Sequence, residues 1–216
     1  MRNDEARQEG EDNEKIIEEV ITPIIQTWNP DNHCVRNQYR GKNNYGGGFQ
    51  EESYWYDMRM YLHHNGFKYD EWHHEKWYKG YYEKWLEFKL DKKVNDEHNP
   101  TGNLAFESHA DSYTRNVFMP SGILKTKSEI WIMRSHIGKY WVMDLHTILR
   151  LCFANDKYVS KRTGEHNDYG DSKVTTLLYC VSTTAIEKEG NYLDYGDDIK
   201  NIDLDKILFK NNNNWF

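Results

Sequence analysis

The run EKIIEEVITPIIQTW places Ile16, Ile17, Val20, Ile21, Ile24 and Ile25 three and four residues apart, which predicts an amphipathic helix over residues 4–28. Asp12 or Asn13 is available for its N-terminal cap, and Pro23 is expected to kink or end it, because proline lacks the N–H that the helix ladder needs. After a polar stretch the period changes from helical to alternating. YDMRMYL predicts a strand that stops at the turn-forming Asn65-Gly66 pair. KWLEFKLDKK predicts a second strand, in which Leu86, Phe88 and Leu90 alternate with Glu87, Lys89 and Asp91, and NLAFES predicts a third. SEIWIMRS and KYWVMDL form a strand pair around a short turn at His136 to Gly138. DLHTILRLCFAN reads as a helix capped by Asp144, with Ile148, Leu149, Cys152 and Phe153 as its apolar side, and VTTLLYCVSTTAI as a further strand. Residues 67–83 are dense in His, Trp, Tyr and Lys and hold no clear period. From about 187 the chain turns polar and ends in NNNNWF, which predicts a loosely attached tail. Helix, mainly antiparallel strands, helix and strand, in that order, predict an α/β (α+β) domain over 1–186 with a mixed central sheet flanked by helices.

Composition narrows this picture. A chain of 216 residues suits one domain. It is 29% charged but also 15% aromatic, with eight Trp and sixteen Tyr, so the core is expected to be built largely from rings. No segment approaches the roughly 18–20 apolar residues that a membrane span needs, and no membrane partner is expected. The acidic start MRNDEARQEGEDNEK has no apolar h-region, so it does not read as a signal peptide. Cys34, Cys152 and Cys180 are far apart and odd in number, which points to a reducing, intracellular setting rather than a disulfide framework. The net charge of −7 argues against nonspecific adhesion to nucleic acid, while leaving room for a local basic surface or a carboxylate-lined metal site. Abundant Asn and Lys with scarce Ala and Pro is a bias of AT-rich genomes, viral ones among them.

The chemistry concentrates in KWLEFKLDKK. Glu87, Lys89 and Asp91 fall two apart and so share one strand face, which in isolation is an ordinary solvated face. A hairpin with YDMRMYL would bring Asp57 beside it. Asp57 and Glu87 would then offer the hard oxygen ligands that Mg²⁺ prefers, and Lys89 an ammonium to position water against a phosphate. Glu14 on the first helix, Asp57 in YDM, and Glu87-Phe88-Lys89 together resemble the PD-(D/E)XK nuclease superfamily, the restriction-endonuclease-like fold. LEFKLDKK followed by TGNLAFES, and PSGILKTKSEIWI over 120–132, look like a viral branch of it, in which the ExK strand ends in an acid and the next strand carries a Glu after Gly-Asn; here these are Asp91, Gly102-Asn103 and Glu107. The matches are short and spread over residues 5–186.

The resemblance implies a Mg²⁺- or Mn²⁺-dependent endonuclease that hydrolyses DNA phosphodiester bonds in viral genome processing, recombination or attack on host DNA. It would work in the host cytoplasm or nucleus. Asp57 and Glu87 would hold the metal, Glu14 would assist through a water, Lys89 would orient the attacking water, and Asp91 and Glu107 would be secondary metal ligands. The family's Pro-Asp is Tyr-Asp here, twice: Tyr56-Asp57, which precedes the better strand, and Tyr69-Asp70, which lies nearer the ExK triplet. With Asp57 chosen, 67–83 becomes an insertion; Glu11 or Glu9 is the alternative to Glu14. Cutting both strands of a duplex calls for two sites, so a homodimer is the natural assembly. The rival function class is a non-catalytic viral protein that uses the same scaffold to bind nucleic acid or a host protein.

Other signals carry less. His63-His64 and His73-His74 frame an aromatic segment, but no cysteine lies near them in sequence to complete a zinc site. WHHEKWYKGYYEKW suits an aromatic hairpin covering the sheet better than a base-stacking groove, and GGG at 46–48 lacks the downstream Lys-Ser/Thr of a phosphate loop.

Overall fold

A computed structural model describes residues 2–37, 57–63, 81–91, 102–111, 118–135, 138–154, 159–168 and 172–210. The isoleucine stripe forms α1 (Arg2–Trp28), with Ile17, Ile21 and Ile25 fully buried. Burial of each is worth roughly 1.5–3 kcal/mol. Asp12 and Asn13 lie inside this helix and do not cap it. Pro23 does not end it either: it sits on the exposed side, and apolar anchors at Ile21 and Ile25 bracket it.

Among the described residues the central sheet is mixed and six-stranded. It contains β1 (His33–Arg36), β2 (Met58–His63), β3 (Tyr81–Asp91), β6 (Ile130–Ser135), β7 (Tyr140–Asp144) and β10 (Asp194–Gly196), in the order β1-β2-β3-β6-β7-β10. The β3–β6 pairing is parallel and the others are antiparallel. The parallel pair requires a crossover, and the chain uses it to begin a second, antiparallel sheet. That sheet holds β4 (Asn103–Asp111), β5 (Phe118–Pro120), β8 (Val159–Asp168) and β9 (Ser172–Ser182), ordered β5-β4-β9-β8. The predicted α/β class with a mixed sheet is what the chain forms.

Alternation sorts the central sheet into two faces. Met58, Met60, Leu62, Leu86, Ile130, Ile132, Tyr140 and Val142 pack under α1 and the C-terminal segment. Trp131, Met133, Trp141 and Met143 face the other way, onto Leu104, Phe106, Tyr179 and Val181 of the second sheet and onto α2 (Leu145–Ala154). Rings of Phe106 and Trp131 meet there, with centroids 6.2 Å apart. Asp144 caps α2 as expected, accepting from the Thr147 N–H at 2.7 Å and from its hydroxyl at 2.8 Å. The β6–β7 turn closes through Gly138 at φ 97°, which donates to the Ser135 carbonyl.

Three boundaries differ from the sequence reading. Thr183 leaves the strand and opens α3 (Thr183–Glu189), because the Ser182 hydroxyl accepts from Ala185 N and Gly190 closes the helix in the left-handed region. Tyr81, Tyr82 and Glu83 belong to β3, paired with His63, Leu62 and Tyr61, so they are no part of an insertion; residues 67–80 lie outside the described residues. The polar stretch from 187 is not loosely attached over its described length. Leu193, Ile199, Ile202, Leu204, Ile207 and Leu208 enter the core under α1, and β10 pairs with β7. Asp194 holds this segment down: its carboxylate accepts from Tyr140 Oη at 2.8 Å, Asp203 N at 3.0 Å and Lys206 Nζ at 3.3 Å.

Candidate functional site

β2 and β3 are antiparallel neighbours, with Met58 opposite Leu86. One step further along each strand stand Asp57 and Glu87, joined through the Asp57 N–H, which donates to the Leu86 carbonyl at 2.9 Å. Met58 and Leu86 belong to the core under α1, so alternation turns Asp57 and Glu87 toward the opposite face. Both are buried, at 3% and 7% exposure. Hydrophobic neighbours fix the register on both sides: a slip of one residue would carry Met58, Met60 and Leu62 out of the core. The two acids are therefore held side by side by the buried Met58, Met60, Leu62 and Leu86.

Lys89 and Asp91 follow in β3, in register with Met133 and Ser135 of β6; their side chains lie outside the described part. Glu14 is half-buried on α1, one turn before the buried Ile17. That helix covers the Leu86 face of β3, so Glu14 and Glu87 belong to opposite layers. Glu9 is likewise half-buried and Glu11 exposed. Asp70 lies outside the described residues.

Glu107 stands on β4 in the second sheet, where it accepts from the Ser121 hydroxyl at 2.5 Å. Gly122 sits flush on the same residue: at φ 44°, a Cβ there would fall 2.3 Å from the Glu107 carbonyl oxygen, so only glycine fits. Among the described residues no group of three or more His, Cys, Asp or Glu side chains is arranged to hold a metal ion. The described donors that the fold brings together are two, Asp57 and Glu87.

One participant was not singled out by the sequence reading. Ser128 is fully buried in the segment that enters β6, and its hydroxyl reaches Glu87 Oε2 at 3.5 Å. Its own N–H donates to Thr126 Oγ1 at 3.0 Å. PSGILKTKSEIWI contained the signal, but only the parallel pairing of β6 with β3 shows that its serine lands beside Glu87.

Fold and site thus define an α/β protein whose mixed sheet carries two buried acids on adjacent inner strands. No protein-family model matches the chain, and no curated protein or solved structure is similar to it at a significant level.

Proposed function

We propose that the chain is a metal-dependent nuclease that hydrolyses DNA phosphodiester bonds on a restriction-endonuclease-like scaffold. The observation that carries this reading is the placement of Asp57 and Glu87, buried and adjacent across the β2–β3 register, with Lys89 two residues further along the same strand. Two neighbouring carboxylates in a water-poor setting are the hard donor set that Mg²⁺ or Mn²⁺ takes, so the residues fit the metal that the resemblance implies. A bound divalent cation supplies Lewis acidity there, lowering the pKa of water and offsetting charge on the phosphate.

The chain's own groups do the rest. Asp57 and Glu87 fix the cation's place relative to the sheet. Ser128 limits the rotation of the Glu87 carboxylate. Lys89 orients the attacking water and stabilises charge on the departing oxygen. Of the auxiliary acids that the resemblance implies, Asp91 follows Lys89 on β3, whereas Glu14 lies in the layer on the other side of the sheet and Glu107 is held by Ser121 on the second sheet. The net charge of −7 favours the rival reading of a non-catalytic binding protein, since DNA binding draws on cationic neutralisation of phosphates.

A plasmid-nicking assay in Mg²⁺ or Mn²⁺, run on the wild type, Glu87→Ala and Lys89→Ala, separates the two. Nicking by the wild type alone is expected. Equal nicking by all three would remove the assigned site, and no cleavage of duplex, single-stranded or branched DNA by the wild type would favour the binding protein.

A further inference from the structure

The segment that delivers Ser128 to Glu87 has an unusual surface. FMPSGILKTKS, residues 118–128, contains two lysines and no acid, in a chain whose net charge is −7. Its backbone is pinned at close intervals. Phe118, Met119 and Pro120 pair with Asp111, Ala110 and His109 of β4. The Ser121 N–H donates to the Ser108 carbonyl at 2.8 Å, Gly122 lies against Glu107, and Ile123 is buried. Leu124 N donates to Ser121 O, and Lys125 N and Thr126 N to Gly122 O.

On this rigid track the largest apolar side chains point outward. Phe118 is 46% exposed, Met119 40% and Leu124 39%, and Lys125 and Lys127 are exposed as well. The tightest turn of the track cannot relax to bury them, because Gly122 is already in contact with β4. Among the described residues β5 is also an edge strand, with β4 as its partner in the sheet. The result is a ridge that is apolar at its start, cationic in its middle, and ends at the proposed site.

Duplex DNA offers a protein its phosphates and the base edges in its grooves, while its base faces are stacked on one another. Exposed aromatic and aliphatic side chains beside lysines match a strand whose base faces are open, where stacking and phosphate contacts add. Resting on the nuclease reading above, we propose that residues 118–128 are the strand-binding ridge of the site, and that the substrate is DNA with unpaired bases next to the cleaved bond. Phe118 stacks on a base, Met119 and Leu124 pack against its neighbours, and Lys125 and Lys127 hold the phosphates that lead to Glu87.

The test is fluorescence anisotropy of the full chain with labelled single-stranded, forked and blunt duplex DNA in EDTA, over a salt series. The wild type is expected to bind the first two about tenfold more tightly than the blunt duplex. Phe118→Ser with Leu124→Ser is expected to weaken only those two forms, by about tenfold. Lys125→Gln with Lys127→Gln is expected to weaken all three and to reduce the single-strand salt slope by about 1.4. All four positions are exposed, and an unchanged Tm confirms that the variants fold.

Equal losses on blunt duplex, or no loss on single strands, would overturn the ridge. So would a wild-type dimer that the Phe118 and Leu124 substitutions split into monomers, since the patch would then belong to a second copy. Glu87→Ala keeps the two readings apart. If it abolishes cleavage while the ridge variants bind normally, only the ridge fails. If it cleaves like wild type while the ridge variants lose binding, the catalytic assignment fails and the ridge stands.

Discussion

Leu86 and Glu87 are adjacent in one strand, yet they serve the two faces of the central sheet differently. On the Leu86 face, α1 and the C-terminal segment close over a continuous apolar layer. On the Glu87 face, the indole-rich layer of Trp131 and Trp141 gives way along β2 and β3 to two buried acids. The first face repays each buried side chain with stability, and the second holds carboxylates that are costly to bury alone. The contrast teaches that the apolar face is what makes the acidic one possible. Met58 and Leu86 fix the register that sets Asp57 beside Glu87.

Substitutions on each face in turn test this division of labour. Glu87→Ala or Asp57→Ala is expected to lower nicking by roughly 10²–10⁴-fold, the scale of a lost catalytic group, with Tm held or raised. Ile21→Ala is expected to do the reverse. Truncation in a tightly packed layer costs about 2–5 kcal/mol, which lowers Tm by roughly 4–20 °C in a domain of this size, while cleavage per folded molecule is retained below the new Tm. A variant of either face that moved both readouts equally would erase the division of labour.

The C-terminal clasp sends its buried aliphatic residues, Leu193 to Leu208, into the Leu86 face. Burial and the neighbouring Asp194 carboxylate hold the Tyr140 phenol well above its usual range, so it stays a hydrogen-bond donor. Asp194→Ala leaves the Tyr140 hydroxyl and the Asp203 N–H without this acceptor, at a cost of about 1–3 kcal/mol. Denaturant unfolding should show that loss, and limited proteolysis should cut the segment after Gly190 sooner than in the wild type. Unchanged protection would mean that Leu193, Ile199, Ile202 and Leu204 hold the segment without the carboxylate.

Much of this arrangement was legible in the chain where one period persisted long enough to be read. The isoleucines of α1, the alternation in β2 and β3, and the apolar runs of β6 and β7 each name their element and buried side. β8 was silent because VSKRTGEHND has no apolar alternation; its place comes from backbone pairing to β9, at the edge of the second sheet. The clasp was silent for a related reason: its apolar residues come singly among Asp, Asn and Lys, so no window holds a helix or strand period. In the site, the neighbourhood of Asp57 and Glu87 follows from a hairpin, a local rule. Ser128 depends on a parallel pairing across 41 residues, which no local pattern encodes.

The smallest expected effect compares the two cores through their thiols. Cys34 packs against the core under α1 and Cys152 lies in the core of the opposite face. Burial first of all raises the Cys34 thiol from 9.0 to about 11 and the Cys152 thiol from 9.0 to about 12. The folded chain thus keeps protons that the unfolded chain begins to release near pH 9. Stability from these thiols is complete below about pH 9 and is lost as pH rises toward 11 for Cys34 and 12 for Cys152. By pH 9.5 the loss is roughly 1 kcal/mol or less per thiol. Denaturant midpoints at pH 7.5 and 9.5 should therefore fall less in Cys34→Ala and in Cys152→Ala than in the wild type, by similar small amounts. At higher pH the two should diverge, with the wild-type loss continuing longer through Cys152. An identical pH dependence in Cys152→Ala and the wild type would mean that the Glu87-side core admits water at that thiol, and that the two faces differ less in dryness than their packing implies.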